Sequence, residues 1–316
     1  MGNKENGRFV NLDPAVRPQF NKVFQWAVLD RLSGKRRKTP PHAHVDVVQD
    51  PEPPSVQDIG AMWLGHATAL ISIAGLRILT DPVFARNLGL IRRNVPVVLP
   101  VEALPHVDVV LISHNHRDHL DRASIKAVEA RFKPHFVVPL EVDRHLRAWK
   151  VPVQRITTLG WWQDARPIAK APHLNFTCVP AQHWSQRLIA DRNQTLWGGF
   201  VLEADGKRVY FAGDSGYFDG FAQIGQRHPN IDLALIPIGA YDPEWFMSPQ
   251  HMNPDEAGQA FVDLGAKQMI SIHWGTYKLT DEPMDEPPRR LSDWMTRVKM
   301  EEGRIWTLPV GGRVVL

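Results

Sequence analysis

Residues 113–121 read Ser-His-Asn-His-Arg-Asp-His-Leu-Asp, which puts His114, His116, Asp118 and His119 within six positions. Three imidazoles and a carboxylate in so short a run have an obvious chemical use. Neutral imidazole nitrogen and carboxylate oxygen are the donors that zinc and similar divalent ions take. No helix or strand needs that density of histidine. The run alone could serve two ions only with further donors, and these stand at the ends of apolar stretches elsewhere. Residues 177–181 lead into His183, 209–213 into Asp214 and 269–272 into His273. Each taken singly has a plainer reading, as a structural histidine or a capping aspartate. Together with the run they form an ordered set on loops leaving buried strands, where a rigid sheet can fix functional side chains.

The elements that must carry these residues are legible from about residue 58 onward. The segments AMWLGHATALISI, RILTDP, VDVVLIS, FVVP, RVYFAGD, DLALIPIG and QMISIHWG are apolar and bounded by Gly, Pro, Asp or His, so each predicts a buried strand. Helices intervene. Asp121 is placed to cap one whose inner face is Ile125, Val128 and Phe132. Over 253–264, Asn253 caps, Pro254 takes the first turn and Glu256 completes a capping-box pair. Ala257, Ala260, Phe261 and Leu264 then form a stripe that Gly265 stops. Leu291, Trp294, Met295 and Val298 repeat the pattern before Gly303. The architecture expected is mixed α/β, with sheets covered by helices and no internal sequence repeat.

The first 55 residues read differently. Phe20, Val23, Phe24 and Ala27 share one face of a predicted amphipathic helix flanked by Trp26. The cations Arg31, Lys35, Arg36, Arg37 and Lys38 follow, and then a connector with Pro40, Pro41, Pro51, Pro53 and Pro54. One reading is a segment that meets a membrane surface or an anionic ligand. The other is a helix packed on the main domain with a solvated basic turn behind it. The division expected is residues 1–55 as extension and connector and 56–316 as the main domain. The 316 residues carry 37 basic and 34 acidic side chains, and a net charge of +3 supplies no basic stripe for nucleic acid. The lone Cys178 excludes a disulfide framework and a Cys-rich zinc module. No stretch approaches the roughly 18–20 apolar residues of a membrane span, and MGNKENGRF lacks the apolar core of a secretory signal. These features predict a cytoplasmic protein, with peripheral membrane contact if the N-terminal segment is used that way.

With its metal pattern in view, the chain resembles the metallo-β-lactamase superfamily. Within it, WLGHAT, LTDPVF, SHNHRDHLD, QHW, FAGDSGY, IPIGAYDPEWFM, QHMNPDEA and IHWGTYKL are similar, in order, to N-acyl-phosphatidylethanolamine-hydrolysing phospholipase D and its bacterial relatives. The Trp161-Trp162 pair fits the same family. The resemblance implies a four-layered αββα fold, two facing sheets covered by helices. It also implies two divalent ions, with His114, His116 and His183 on the first, Asp118, His119 and His273 on the second, and Asp214 bridging them. His251 matches a family histidine beside the metals, so Asp118 and His251 are the expected catalytic residues. A His-rich set without thiolate favours zinc.

Two cations lower the pKa of a shared water and clamp an in-line displacement, so no serine or cysteine nucleophile is required. Ser113 and Cys178 are accordingly structural. His251 can stabilise an oxyanion or protonate a leaving group, or else merely precede the cap at Asn253. His66 is either a donor behind the site or a structural histidine, and Asp81 can orient a ligand histidine. Arg187 is either a phosphate contact or a solvated loop residue. Trp184, Trp197, Trp245 and Trp274 can line an apolar pocket or fill the core. The activity expected is a dinuclear-metal hydrolase, a phosphodiesterase of phospholipase D type, with a lactonase or other hydrolase of a small phosphorylated metabolite as the alternative. The partners expected are a small-molecule or phospholipid substrate and no nucleic acid, with a homodimer left open.

Overall fold

The apolar run from Ala61 to Ile73, expected as a single strand, folds back on itself. It forms the antiparallel strands Gly60–Gly65 and Thr68–Ile73. The reason is local: Gly65 and His66 take positive φ, +102° and +53°. A Cβ on Gly65 would also meet Arg93 Nη2 at 2.8 Å. The computed structural model describes the whole chain except residues 1, 18–21, 23, 24 and 189, and the side chain of Ala27. Phe20, Val23 and Phe24 of the predicted amphipathic helix therefore lie outside the described residues. Its described remainder is a π-helical turn, Gln25–Leu29, continued by Asp30–Leu32.

Two seven-stranded sheets carry the fold. In the first, the strands run in the order Ile156–Leu159, His135–Pro139, Val109–Leu111, Leu76–Thr80, Thr68–Ile73, Gly60–Gly65, Arg313–Val315. In the second the order is Asp164–Ala165, Asn175–Val179, Gly199–Ala204, Lys207–Phe211, Leu233–Pro237, Gln268–Ile272, Ile305–Trp306. In each sheet three antiparallel pairings lie on one side and three parallel ones on the other. The correspondence reaches side chains. Asp108, just before a parallel strand, accepts from the Arg77 N–H at 2.8 Å, and Asp232 accepts from the Arg208 N–H at 2.9 Å. The sequence shows no repeat, yet the two halves share one topology.

Period-two alternation explains the layering. In the first sheet Ala61, Trp63, Ile71, Ile78, Val109 and Val137 point into the core shared with the second sheet. Their neighbours Met62, Leu64, Leu70, Leu79, Val110 and Phe136 point the other way. They pack there against Ile125 and Val128 of helix Arg122–Phe132 and Leu146 of helix Asp143–Ala148. The second sheet is covered by helices Gly220–Arg227, Pro254–Asp263 and Glu286–Arg297, which bury Phe221, Phe261 and Trp294. The result is the four-layered αββα arrangement. The predicted caps form as written: Asp121 accepts from Ser124 N, and Asn253 with Glu256 closes a capping box.

The first 55 residues are stitched to this core. Phe9 is buried, Val45 joins the core and Val47 bridges to Val310. The basic turn is not simply solvated. Arg36 pairs with the buried Asp281, and Arg37 with Glu286 and Asp242. No described helix is long and apolar enough to cross a membrane.

Candidate metal centre

The expected ligands, and Asp81 behind them, stand past the ends of strands. Asp81 follows Leu76–Thr80, the 113–119 loop follows Val109–Leu111, Asp214 follows Lys207–Phe211, and His273 follows Gln268–Ile272. These strands run parallel to a neighbour within their sheets, so the loops emerge from one edge. His183 arrives after Asn175–Val179. Gly213, at φ +63°, lets the loop of Asp214 approach the first sheet, since a Cβ there would lie 2.4 Å from the Ser113 Cβ.

The seven expected ligands converge as two groups about Asp214. In one, His116 Nδ1 lies 2.8 Å from His114 Nε2 and 3.2 Å from His183 Nε2. In the other, His119 Nε2 lies 3.2 Å from His273 Nε2 and 3.6 Å from Asp118 Oδ2. Asp214 reaches both: Oδ2 is 3.0 Å from His119 Nε2 and 3.9 Å from His183 Nε2, and Oδ1 is 3.1 Å from His273 Nε2. Donors arranged tetrahedrally at about 2.0–2.1 Å from one zinc stand roughly 3.3 Å apart.

The far nitrogens say how the rings are aimed. His119 Nδ1 donates to Asp81 Oδ2 at 2.6 Å, His183 Nδ1 donates to the Gln250 carbonyl at 2.9 Å, and His114 Nδ1 meets Ser113 Oγ at 2.9 Å. Such partners fix tautomer and orientation, and leave the inward nitrogen a lone pair. Asp81, fully buried, also accepts from Ser113 N and Oγ, so one carboxylate organises the start and the end of the loop. Ser113 and Cys178 are both buried within the structure.

The electrostatics favour cations here. Burial drives His114 well below its usual range and His66 and His116 down to about 3, and it takes His183 to about 4. His119 is the exception: burial opposes its charge, but Asp214, Asp118 and Asp81 outweigh that and hold it well above the usual range. Asp118 and Asp214 are pushed up by burial and pulled down further by the imidazoles, His119 first, to well below a normal carboxylate. His116 Nε2 and His273 Nδ1 are buried without a hydrogen-bond partner, and buried Asp214 Oδ1 has only the ring nitrogen of His273 beside it, at 3.1 Å. An ionised carboxylate oxygen in that state is costly unless a cation meets it. The donor set therefore fits divalent metal.

Above the centre lies a cavity of about 530 Å³. His116, Asp118, Asp214 and His251 line its polar side, and Trp26, Trp184, Phe246, Met247 and Leu279 its apolar side. Of the four tryptophans considered, only Trp184 lines it. Trp197 and Trp274 are buried in the core and Trp245 is exposed beside it. Trp26, from the N-terminal segment, takes the expected place of Trp245. Its Nε1 donates to Asp281 Oδ2 at 2.8 Å, its ring stacks on Phe246, and Arg36 covers it. Nothing in the sequence marked that contact.

Arg187 corrects both of its readings. It is neither solvated nor aimed at the cavity: Nη1 donates to the carbonyls of Asn115 at 2.9 Å and Leu120 at 2.7 Å, bracing the ligand loop. Losing these bonds leaves part-buried carbonyls unsatisfied at about 1–3 kcal/mol each. Arg187→Ala should lower the melting temperature by several degrees, and a variant that melts like the wild type would remove the bracing role. Asn11 was not foreseen either. Its Oδ1 accepts from His183 N at 3.0 Å and Trp197 Nε1 at 3.1 Å.

Comparison with known proteins agrees with this geometry. A family model described as the β-lactamase superfamily domain matches residues 76–274. The chain belongs to the metallo-β-lactamase superfamily. Across 267 residues it is 35% identical to N-acyl-phosphatidylethanolamine-hydrolyzing phospholipase D 1 of Caenorhabditis elegans, covering 78% of this chain and 75% of that one. An uncharacterized protein of Mycobacterium tuberculosis is 39% identical, over 92% of this chain and 78% of its own. Among solved structures, the isothiocyanate hydrolase from Delia radicum gut bacteria superposes with a TM-score of 0.64 at 20% identity, covering 82% of this chain and 99% of that one. Igni18, a metallo hydrolase from Ignicoccus hospitalis, gives 0.62 at 20% identity, over 82% and 98%. The last two speak to fold alone. This is a metal-dependent hydrolase of the superfamily.

Proposed function

We propose that this metallo-β-lactamase-fold hydrolase is a dinuclear-metal phosphodiesterase acting on an N-acylated phospholipid. The observation that carries the reading is the pair of donor groups meeting at Asp214. His114, His116 and His183 would hold one ion, Asp118, His119 and His273 the other, with Asp214 between them. Zinc suits a set of imidazoles and carboxylates without thiolate. The ions would polarise a phosphoryl oxygen and make water a competent nucleophile near neutral pH.

The chain's own residues supply the rest. Asp81, Ser113 and the Gln250 carbonyl hold the ligand rings in place before substrate arrives. The apolar wall of Trp26, Trp184, Phe246, Met247 and Leu279 excludes water and offers acyl chains surface worth about 25 cal/mol per Å² buried. Arg117 is the only cationic side chain among the described residues lining the cavity, and it can meet the phosphate charge. The nematode relative, and a mitochondrial phospholipase D of Saccharomyces cerevisiae 33% identical over 89% of this chain and 58% of its own, bear names that state this substrate.

The reaction is tested in ¹⁸O-labelled water on vesicles of N-acyl-phosphatidylethanolamine. Water oxygen joins phosphorus, the bond from phosphorus to the acylethanolamine oxygen breaks, and the alcohol departs with a proton. The label is expected in phosphatidic acid, with close to two equivalents of metal in the active protein. Turnover confined to soluble phosphodiesters or phosphorylated lactones would sink the lipid reading and promote the small-metabolite alternative.

A further inference from the structure

One buried histidine of the site has no part in that scheme. His66 sits in the turn between Gly60–Gly65 and Thr68–Ile73 with φ +53°, a conformation that costs a non-glycine residue energy and persists where the surroundings enforce it. The enforcement is on its backbone. Its N–H donates to Thr276 Oγ1 at 2.7 Å, and its carbonyl accepts from Trp63 Nε1 at 2.7 Å and from His273 N at 2.9 Å. None of these bonds needs an imidazole. The ring is centred 3.9 Å from that of His273, and its Nε2 lies 3.0 Å from Asp118 Oδ2.

That contact falls where the second ion would need it. Asp118 stands on a turn with its side chain 19% exposed, the most open of the carboxylates at the centre. Its Oδ2 is 3.6 Å from His119 Nε2 and 3.9 Å from His273 Nε2, so His66 is the nearest of the three imidazoles. Asp81 performs the matching service for His119 from the other side of the loop. We propose that His66 is a positioning residue: by donating to Oδ2 it orients the Asp118 carboxylate beside His119 and His273, and so assembles the second metal site in advance. The inference rests on the dinuclear reading above.

Zinc titration of the metal-stripped full chain against a competing chromophoric chelator tests it. His66→Asn accepts the left-handed backbone readily, but its amide ends short of Asp118. His66→Leu removes the donor at similar volume, and His66→Gln restores an N–H near the position of Nε2. The wild type is expected to bind two ions. The asparagine and leucine variants should keep one at unchanged affinity and bind the other 10- to 100-fold more weakly, the usual effect of losing such a partner. The glutamine variant should recover part of that loss, which a purely structural role would not produce. Two ions bound at wild-type affinity in either donor-less variant, or equal weakening of both, overturns the proposal. Fewer than two ions in the wild type would refute the dinuclear reading itself and this inference with it, before any variant is compared.

Discussion

Asp214→Ala is expected to reduce hydrolysis by at least about 10³-fold and to release metal while the fold persists. Asp214 lies between the two donor groups, 3.0 Å from His119 and 3.1 Å from His273, with His183 and His251 at 3.9 Å. In the proposed centre its loss would remove an anionic ligand from both sites at once. A metal ion contributes several kcal/mol of charge stabilisation in the transition state, and each 1.4 kcal/mol is a factor of ten. The backbone should survive, because the strand Lys207–Phe211 pairs on both sides and Gly216 and Ser215 bond to Gln182 and Met252. His119 keeps Asp81 and Asp118 as partners. Asp214→Asn separates charge from shape, and it too should be inactive. The checks are turnover, metal content and far-ultraviolet circular dichroism on one preparation. An alanine variant that retained two ions and normal turnover would dismantle the proposed centre.

The parts of this molecule legible in its sequence are those whose causes are local. Asp121, Asn253 and Glu256 cap helices because side chain and backbone lie three residues apart. The ligand loop is legible because its chemistry is compressed into six residues, and His183, Asp214 and His273 because each follows an apolar strand. Where causes are distant the sequence was mute. The turn at His66 depends on Thr276, Trp63 and Arg93 as much as on Gly65. The strand Ile156–Leu159 carries two threonines and only half-buried residues until Leu159, so no apolar run announces it. Gly199–Ala204 follows a loop and begins on the second of two glycines. The shared topology of the two sheets survives in hydrogen-bond pattern, not in residue identity. Long side chains were hardest to assign. Arg187 is read correctly only once Asn115 and Leu120 are seen behind it, and Arg36 only once Asp281 is seen beneath it.

His251→Ala is expected to lower turnover by roughly 10²- to 10⁴-fold, the range for a lost acid–base or polar catalytic group, with both metal equivalents retained. The alternative, a capping role, finds no support in the contacts: Asn253 and Glu256 close their capping box without the His251 side chain, whose backbone N–H bonds to Met247 instead. The imidazole borders the cavity, 11% exposed, with Nδ1 3.9 Å from Asp214 Oδ2 and no hydrogen-bond partner. Burial first, then the neighbouring His183 and His273, hold it well below the usual histidine range, so near pH 7 it is neutral and can accept at one nitrogen while donating at the other. Such a group beside the scissile bond can hydrogen-bond a phosphoryl oxygen or pass a proton to the departing alkoxide. The alanine variant should then lose kcat with little change in KM, the sign of an interaction made chiefly in the transition state. His251→Gln, which keeps an N–H donor but cannot shuttle a proton, discriminates between the two services: substantial recovery would assign a hydrogen bond, none would assign proton transfer. Full activity of the alanine variant on the lipid would exclude His251 from catalysis, and loss of an ion would make it a ligand instead.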